Sequence, residues 1–282
     1  FAENKIVKTG TESLEAVSIF VAKDKKIIST SLNDISEKSA DKIVDEILEF
    51  LKFTKPNENY FGIAKGPFDY KKVPGTYDDK IRDIDEVDIV ESGINAALEN
   101  SKRTNGIFES SIGKTSILTS GGVDASENFS SLYFSLRALM DKNSSGHKTS
   151  SSRVLNDFKV EEVSRKAGEI AKDALNSEIG RAGEYDMVID PLPMADLMGT
   201  VGSAASVYEV DSGMSFFNGK IGKKIGNFEL IDNGRLEGGM ASSPFDAEGV
   251  PTQKTKIIND GILKTYLHNT STAKKHNVKT TG

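Results

Sequence analysis

Apolar positions along the chain change their period several times, and each change predicts a different element. The run Ala16-Val17-Ser18-Ile19-Phe20-Val21-Ala22 predicts a mostly buried strand. Lys23-Asp24-Lys25 then makes the turn into a second strand, Lys26 to Ser31. Ala40, Ile43, Val44, Ile47, Leu48 and Leu51 recur at helical spacing and form one apolar stripe. Asp34 followed by Glu37 has the form of a capping box at its start, and Pro56 closes the unit. Residues 54–84 hold Pro56, Gly62, Gly66, Pro67, Pro74 and Gly75, the composition of a long connecting loop laid over another surface. Val87, Val90, Ile94, Ala97 and Leu98 restore the helical period, with Asp85 placed to cap the helix.

From residue 106 the pattern turns to strands. Ile107 to Ile112, Lys114 to Ser120 and Phe129 to Met140 read as three strands separated by glycines. In the last, Leu132, Phe134, Leu136, Ala138 and Met140 alternate with Tyr133, Ser135 and Arg137, so one sheet face is buried. Residues 141–153, with Ser144-Ser145-Gly146 and Ser150-Ser151-Ser152, predict a mobile polar loop. Val160, Val163, Ala167, Ile170, Ala171 and Ala174 mark a third helix ending near Ser177. Gly180 and Gly183 mark a boundary, which divides the chain into an N-terminal region (1–178) and a C-terminal domain (183–282).

Beyond the boundary the pattern predicts a strand from Tyr185 to Ile189, a Pro191-Leu192-Pro193 turn, and a helix from Met194 to about Val210. Gly199, Gly202, Ala204 and Ala205 would let that helix approach another backbone closely. Two hairpins follow. Phe228 to Ile231 runs into Asp232-Asn233-Gly234; Lys256 to Ile258 runs into Asn259-Asp260-Gly261 and returns as Ile262 to Leu267. Thr270 or Ser271 caps a last short helix that stops at Asn277. The elements together make an α+β fold: an N-terminal α/β region with a mixed or antiparallel sheet, then a β-rich domain with hairpins. No internal repeat is present.

Composition narrows the function. The 282 residues form a normal globular mixture, 37% hydrophobic and 28% charged. A net charge of −6 argues against a nucleic-acid binder that works through a basic face. There is no cysteine, so disulfides and thiolate sites are excluded and a reducing compartment such as the cytoplasm fits. No apolar run reaches the ~20 residues of a membrane span. The chain opens at Phe1 without a methionine and closes at Gly282, and on this ground it reads as part of a longer protein.

Histidine chemistry is sparse: His147, His268 and His276, with no pair at the i, i+4 spacing that sets two imidazoles on one helix face. His147 and His276 read as surface or hydrogen-bonded residues; His268, at a strand end, is placed to face a cleft. Gly202-Ser203-Ala204-Ala205-Ser206 lies in a helical pattern rather than at a nucleophile elbow. Gly219-Lys220-Ile221-Gly222 and Ser111 to Ser116 lack the phosphate-loop spacing and read as turns. Asp246 and Glu248, either side of Ala247, are the one carboxylate pair of interest. In an extended segment they point the same way and could orient a peptide amine, hold a cation or act as acid and base. In a tight turn Asp246 would instead accept backbone N–H groups, with Gly249 supplying an unusual φ.

Several blocks in order carry a resemblance: Val188-Ile189-Asp190-Pro191, Phe216 to Gly222, Ser242 to Thr252, Gly261 to His268, and Ser271 to Lys275 with Thr281-Gly282. They resemble the TldD/PmbA family, the "modulators of DNA gyrase". The resemblance implies dimers with an enclosed chamber in which peptides bind in extended form, and a continuation past Gly282. TldD-type members carry a His-Glu-x-x-x-His metal motif on the helix before the Phe216-like block. Here the interval Met194 to Ala205 has no histidine, so the chain is similar to the PmbA/TldE type. No catalytic residue or metal ligand carries over, and zinc is expected in a TldD-type partner rather than here. Three functions follow, in this order: a non-catalytic subunit of a metallopeptidase acting on unfolded or small peptides, paired with a TldD-type chain or with itself; a metal-dependent peptidase in its own right; and a regulatory binding protein. Asp246, Glu248, Thr252 and His268 are the candidates for peptide contact.

Overall fold

A computed structural model describes all 282 residues, Phe1–Gly282. The named strands form three sheets, and every ladder between them is antiparallel. The open alternative of a mixed sheet is thereby closed.

The first unit is a hairpin with one helix. β1 (Val17–Lys23) pairs with β2 (Lys26–Leu32), and α1 (Glu37–Phe53) follows. Asp24 and Lys25 take φ of 51° and 61°, as a two-residue hairpin requires. The expected burial of β1 is not found: Val17 and Phe20 are exposed, because a two-stranded sheet offers little area and α1 covers only part of it. The predicted stripe of α1 is likewise half used. Ile47 and Leu51 are buried, while Val44 and Leu48 face solvent. The cap also differs. Ser36, not Asp34, receives the Ser39 N–H, and Asp34 holds the Ser36 N–H and the Ser39 hydroxyl instead.

The second unit contains the main core. Its elements are α2 (Glu86–Leu98), β3 (Arg103–Leu118), β4 (Asp124–Leu139), β5 (Ser145–Ser152) and α3 (Val160–Asp173), with strand order β3-β4-β5. Asp85 caps α2 as expected, accepting the Val87 and Asp88 N–H groups. The two strands expected on either side of Gly113 are one. Gly113 does not break β3; its missing side chain leaves room for the Phe129 ring, which a Cβ would meet at 2.6 Å. The serine-rich stretch expected to be a mobile loop is β5, because Asp141 caps the Asn143 and Ser144 N–H groups and turns the chain back along β4. The alternation in β4 behaves as its period predicts. Leu132, Phe134, Leu136 and Ala138 are fully buried, and the last three pack with Ala97, Val160, Ala167 and Ala171 from the two helices.

Between these units residues 54–76 run as a strap without helix or strand. Its backbone is tied to three places: Phe61 N–H donates to Ser271 Oγ (2.8 Å), Gly66 N–H to the Gly121 carbonyl (2.9 Å), and Gly238 N–H to the Pro74 carbonyl (3.0 Å). It does lie over another surface, made jointly by the β3–β4 turn and the C-terminal unit.

The third unit departs most from expectation. Residues 185–189 form no strand and Val188 is fully exposed, because no strand runs alongside to pair with them. α4 (Pro191–Ala204) begins at the two prolines rather than after them: in a first turn the missing N–H has no bond to make. The helix ends six residues early. Leu267 N–H bonds the Ala205 carbonyl and Val207 N–H bonds the Leu267 carbonyl, and α5 (Val207–Asp211) starts afresh. Gly199 and Gly202 face open space, so the close approach they permit does not occur.

β6 (Leu230–Asn233), β7 (Lys254–Asn259) and β8 (Ile262–Leu263) complete the sheet. Asn233-Gly234 is not a tight hairpin, since β6 pairs with β7 across a long loop, Asn233 opposite Lys254. The Asp260-Gly261 hairpin does form, with φ of 52° and 75°, although its return strand is only two residues long. α6 (Thr270–His276) is capped by Asn269, one residue before the expected cap, and stops at left-handed Asn277 as predicted. No helix is long and apolar enough to cross a membrane.

Candidate functional site

The Ser242–Thr252 segment folds into a closed turn. Asp246 N–H bonds the Val250 carbonyl and Gly249 N–H bonds the Asp246 carbonyl. The Asp246 carboxylate turns inward and accepts the Glu248 N–H (2.9 Å) and the Val250 N–H (2.8 Å). Gly249 sits at φ 77° with its open side against Val123, so a Cβ would clash with the valine methyl. Burial pushes the Asp246 carboxyl above the ordinary aspartate value, against the pull of those backbone donors. Thr252 closes the turn from the far side, donating its hydroxyl to the Ser243 carbonyl while its N–H reaches the Pro244 carbonyl.

Glu248 does not join Asp246. Its carboxylate reaches away from the turn to the Thr270 N–H (2.7 Å) at the start of α6. The expectation that the two carboxylates point the same way is therefore corrected: backbone donors claim one on each side of the turn, and they do not form an acid–base pair. The strap covers both. Tyr70 donates its hydroxyl to the Gly249 carbonyl (2.7 Å) and packs edge-on against Phe245. Burial first, then the nearby Glu248 charge, raises the Tyr60 phenol.

His268 lies at the other end of the same surface and is only 7% exposed. Its Nδ1 has no hydrogen-bond partner, and burial followed by the neighbouring His276 holds the imidazole below its ordinary value. The cleft-facing position expected for His268 is not what it has. The structure brings Glu248 and His268 to the same short helix start and keeps Asp246 and Thr252 within their own turn.

Sequence reasoning missed two groups here. Arg153 is buried and donates to the Ser130 carbonyl (3.2 Å) and the Ser242 carbonyl (2.6 Å), tying the central sheet to the turn. Glu127 accepts the Ser243 hydroxyl beside it. Neither has a local motif; an arginine closing a serine-rich strand was the only available hint. Asp211 is the second, a carboxylate shared by Lys275 and His276.

The interval where the resemblance would set a metal motif is α4. Its one acidic residue is Asp196 and it has no histidine. Asp190, just ahead of it, pairs with Lys148. No group of three His, Asp or Glu side chains in the chain comes together in an arrangement that could hold a metal ion, so the residues present do not fit a zinc centre of their own.

These features define an antiparallel α+β protein whose central core carries a strap-covered C-terminal turn. Two family models match it in tandem: the PmbA/TldA metallopeptidase central domain over residues 76–175 and the C-terminal domain over residues 182–282. The chain belongs to the PmbA/TldD metallopeptidase family. An uncharacterised protein of Methanocaldococcus jannaschii is 30% identical over 278 residues, 94% of this chain and 62% of its own length. A metalloprotease of the same organism is 37% identical over 103 residues, 36% of this chain and 23% of the relative. Among solved structures, a Thermotoga maritima protein assigned as a modulator of a DNA gyrase superposes with a TM-score of 0.88 at 25% identity, covering 100% of this chain and 66% of that one. The chain thus spans less than two thirds of the relatives that match it along its whole length.

Proposed function

We propose that the chain is a PmbA/TldE-type subunit that lacks a metal centre and works in a peptidase with a metal-bearing TldD-type chain. One observation carries this reading: the helix α4 is present where the family's metal motif would stand, and Met194 to Ala205 contains no histidine. The candidate peptide contacts agree with a supporting role. The Asp246 and Glu248 carboxylates are each committed to backbone N–H groups. In this reading peptides bind in a chamber that the subunit helps to enclose, and a reducing cytoplasmic setting suits a chain without cysteine. Residues 1–178 and 183–282 are its two domains, and a homodimer is the other assembly it could form.

Elemental analysis of the purified full-length protein, followed by reconstitution, tests the proposal. The expected result is no stoichiometric zinc, no peptidase activity alone, and activity on mixing with a TldD-type chain that exceeds that of either component. One zinc per chain with activity in isolation overturns it in favour of an autonomous peptidase. Inertness with every TldD-type chain overturns it in favour of a regulatory binding protein.

A further inference from the structure

His268, His276 and Asp211 form a cluster outside the turn described above, and its geometry stands apart from the peptidase reading. The two imidazole rings lie edge-to-face with centroids 5.4 Å apart. His276 Nε2 touches the Asp211 carboxylate at 3.0 Å, and Lys275 Nζ reaches the same carboxylate at 2.8 Å. Asp211 ends α5, whereas Lys275 and His276 end α6, so this carboxylate pins one helix to the other. His268 also anchors the Thr280–Thr281 segment: its carbonyl accepts the Thr281 N–H (3.0 Å), the Thr280 hydroxyl (3.0 Å) and the Thr281 hydroxyl (3.1 Å). Its own N–H donates back to Thr281 Oγ1 (2.9 Å). Three segments therefore meet around this residue, the Thr280–Thr281 segment through the His268 main chain.

We propose that this pair is a proton-operated latch, holding α6 and the Thr280–Thr281 segment against α5 when His268 is neutral and releasing them when both histidines are charged. The cluster has room for one imidazolium. Asp211 can balance His276, but it is already shared with Lys275; at His268, Nδ1 has no partner, and a Thr272 backbone hydrogen bond and the Asp211 charge favour the charged ring less than burial and His276 oppose it. A second imidazolium 5.4 Å from the first would be buried and repelled. His276 and Asp211 are the titratable groups whose charge acts on His268; Thr272 adds a backbone hydrogen bond, and Thr280 and Thr281 bond only its main chain. The sign follows. His268 titrates below its ordinary 6.5 when packed, so the latch is fully closed above 6.5 and opens as pH falls through the lower, packed value.

The test uses the chain as it is. Histidine proton resonances are assigned with single variants and followed from pH 8 to pH 5, and amide exchange is read over residues 262–282, corrected for intrinsic rates. The expected result is a His268 midpoint below 6.5 and a loss of protection at Asn277, Val278 and Thr281 over the same pH range. Protection at Phe134 and Leu136 should hold over the same range. In His276→Gln the His268 midpoint should rise and the loss should shrink; in His268→Phe the loss should vanish. A His268 midpoint at or above 6.5, or unchanged protection down to pH 5, overturns the proposal, as does a loss shared equally by the central sheet. Should His276→Gln fail to fold, His268→Phe and the wild-type titration still decide it.

Discussion

The central sheet and the C-terminal turn are held together by different physics. In the sheet, Leu132, Phe134, Leu136 and Ala138 are fully buried in one row, and the last three pack against two helices. The C-terminal region buries a smaller apolar set and, with it, Ser242, Thr252, His268, Thr270, Ser271 and Thr272. Its shape is set by donors and acceptors, by left-handed glycines such as Gly249 and Gly261, and by a strap from far away in sequence. Apolar burial is non-directional and tolerates adjustment, whereas a buried hydrogen bond is lost over a fraction of an ångström. The first region should therefore be more sensitive to volume and the second to direction.

The largest expected effect lies in the sheet. Phe134→Ala should cost about 3–5 kcal/mol in urea unfolding, the range for a phenylalanine removed from a closed core. Phe20→Ala in the exposed hairpin should cost under ~1 kcal/mol, as surface positions do. Equal losses would break the contrast between a closed core and a half-covered sheet.

Direction is tested next. Gly249→Ala adds little volume, yet it meets Val123 and strains a φ of 77°, so a loss of about 2–3 kcal/mol is expected. Arg153→Ala leaves the Ser242 and Ser130 carbonyls without that donor, and each such buried group costs about 1–3 kcal/mol. Amide exchange should show the damage of Arg153→Ala concentrated at residues 242–252; an even spread would place Arg153 in the core rather than at the tie. Tyr70→Phe, which removes one hydroxyl from the Gly249 carbonyl, should cost about 1 kcal/mol.

The smallest effect is electrostatic. Asp246 has a raised pKa in the folded chain, so the folded state binds more protons than the unfolded one just above 3.8. Stability should fall slightly as pH rises through that window. In Asp246→Asn, which keeps an acceptor for the backbone donors, this part of the slope should disappear in pH-dependent denaturation curves. A slope that persists would mean that another carboxylate carries it.

The same contrast explains what was legible. The alternation in β4, the stripe of α3, the Asp85 cap and the Asp260-Gly261 turn each depend on neighbours in sequence, and each appears where the pattern puts it. The failures depend on partners at a distance. β5 looked like a serine-rich loop because hydrogen bonds to β4, not side-chain hydrophobicity, make it a strand. Residues 185–189 looked like a strand and have no partner. α4 stops at Ala204 because Leu267 takes the next backbone groups.

The candidate residues divide in the same way. The inward role of Asp246 was one of two readings available from a short turn with a following glycine. The outward reach of Glu248 to Thr270, the burial of His268 and the tie through Arg153 required the tertiary structure. The sequence by itself determined which family the blocks belong to, that α4 carries no histidine, and where the local turns and amphipathic stripes fall, since these are properties of residue type and near-neighbour spacing. The tertiary structure alone decided which donors meet which acceptors, because a hydrogen bond between residues such as Phe61 and Ser271 depends on how the whole chain packs and leaves no periodic trace along it.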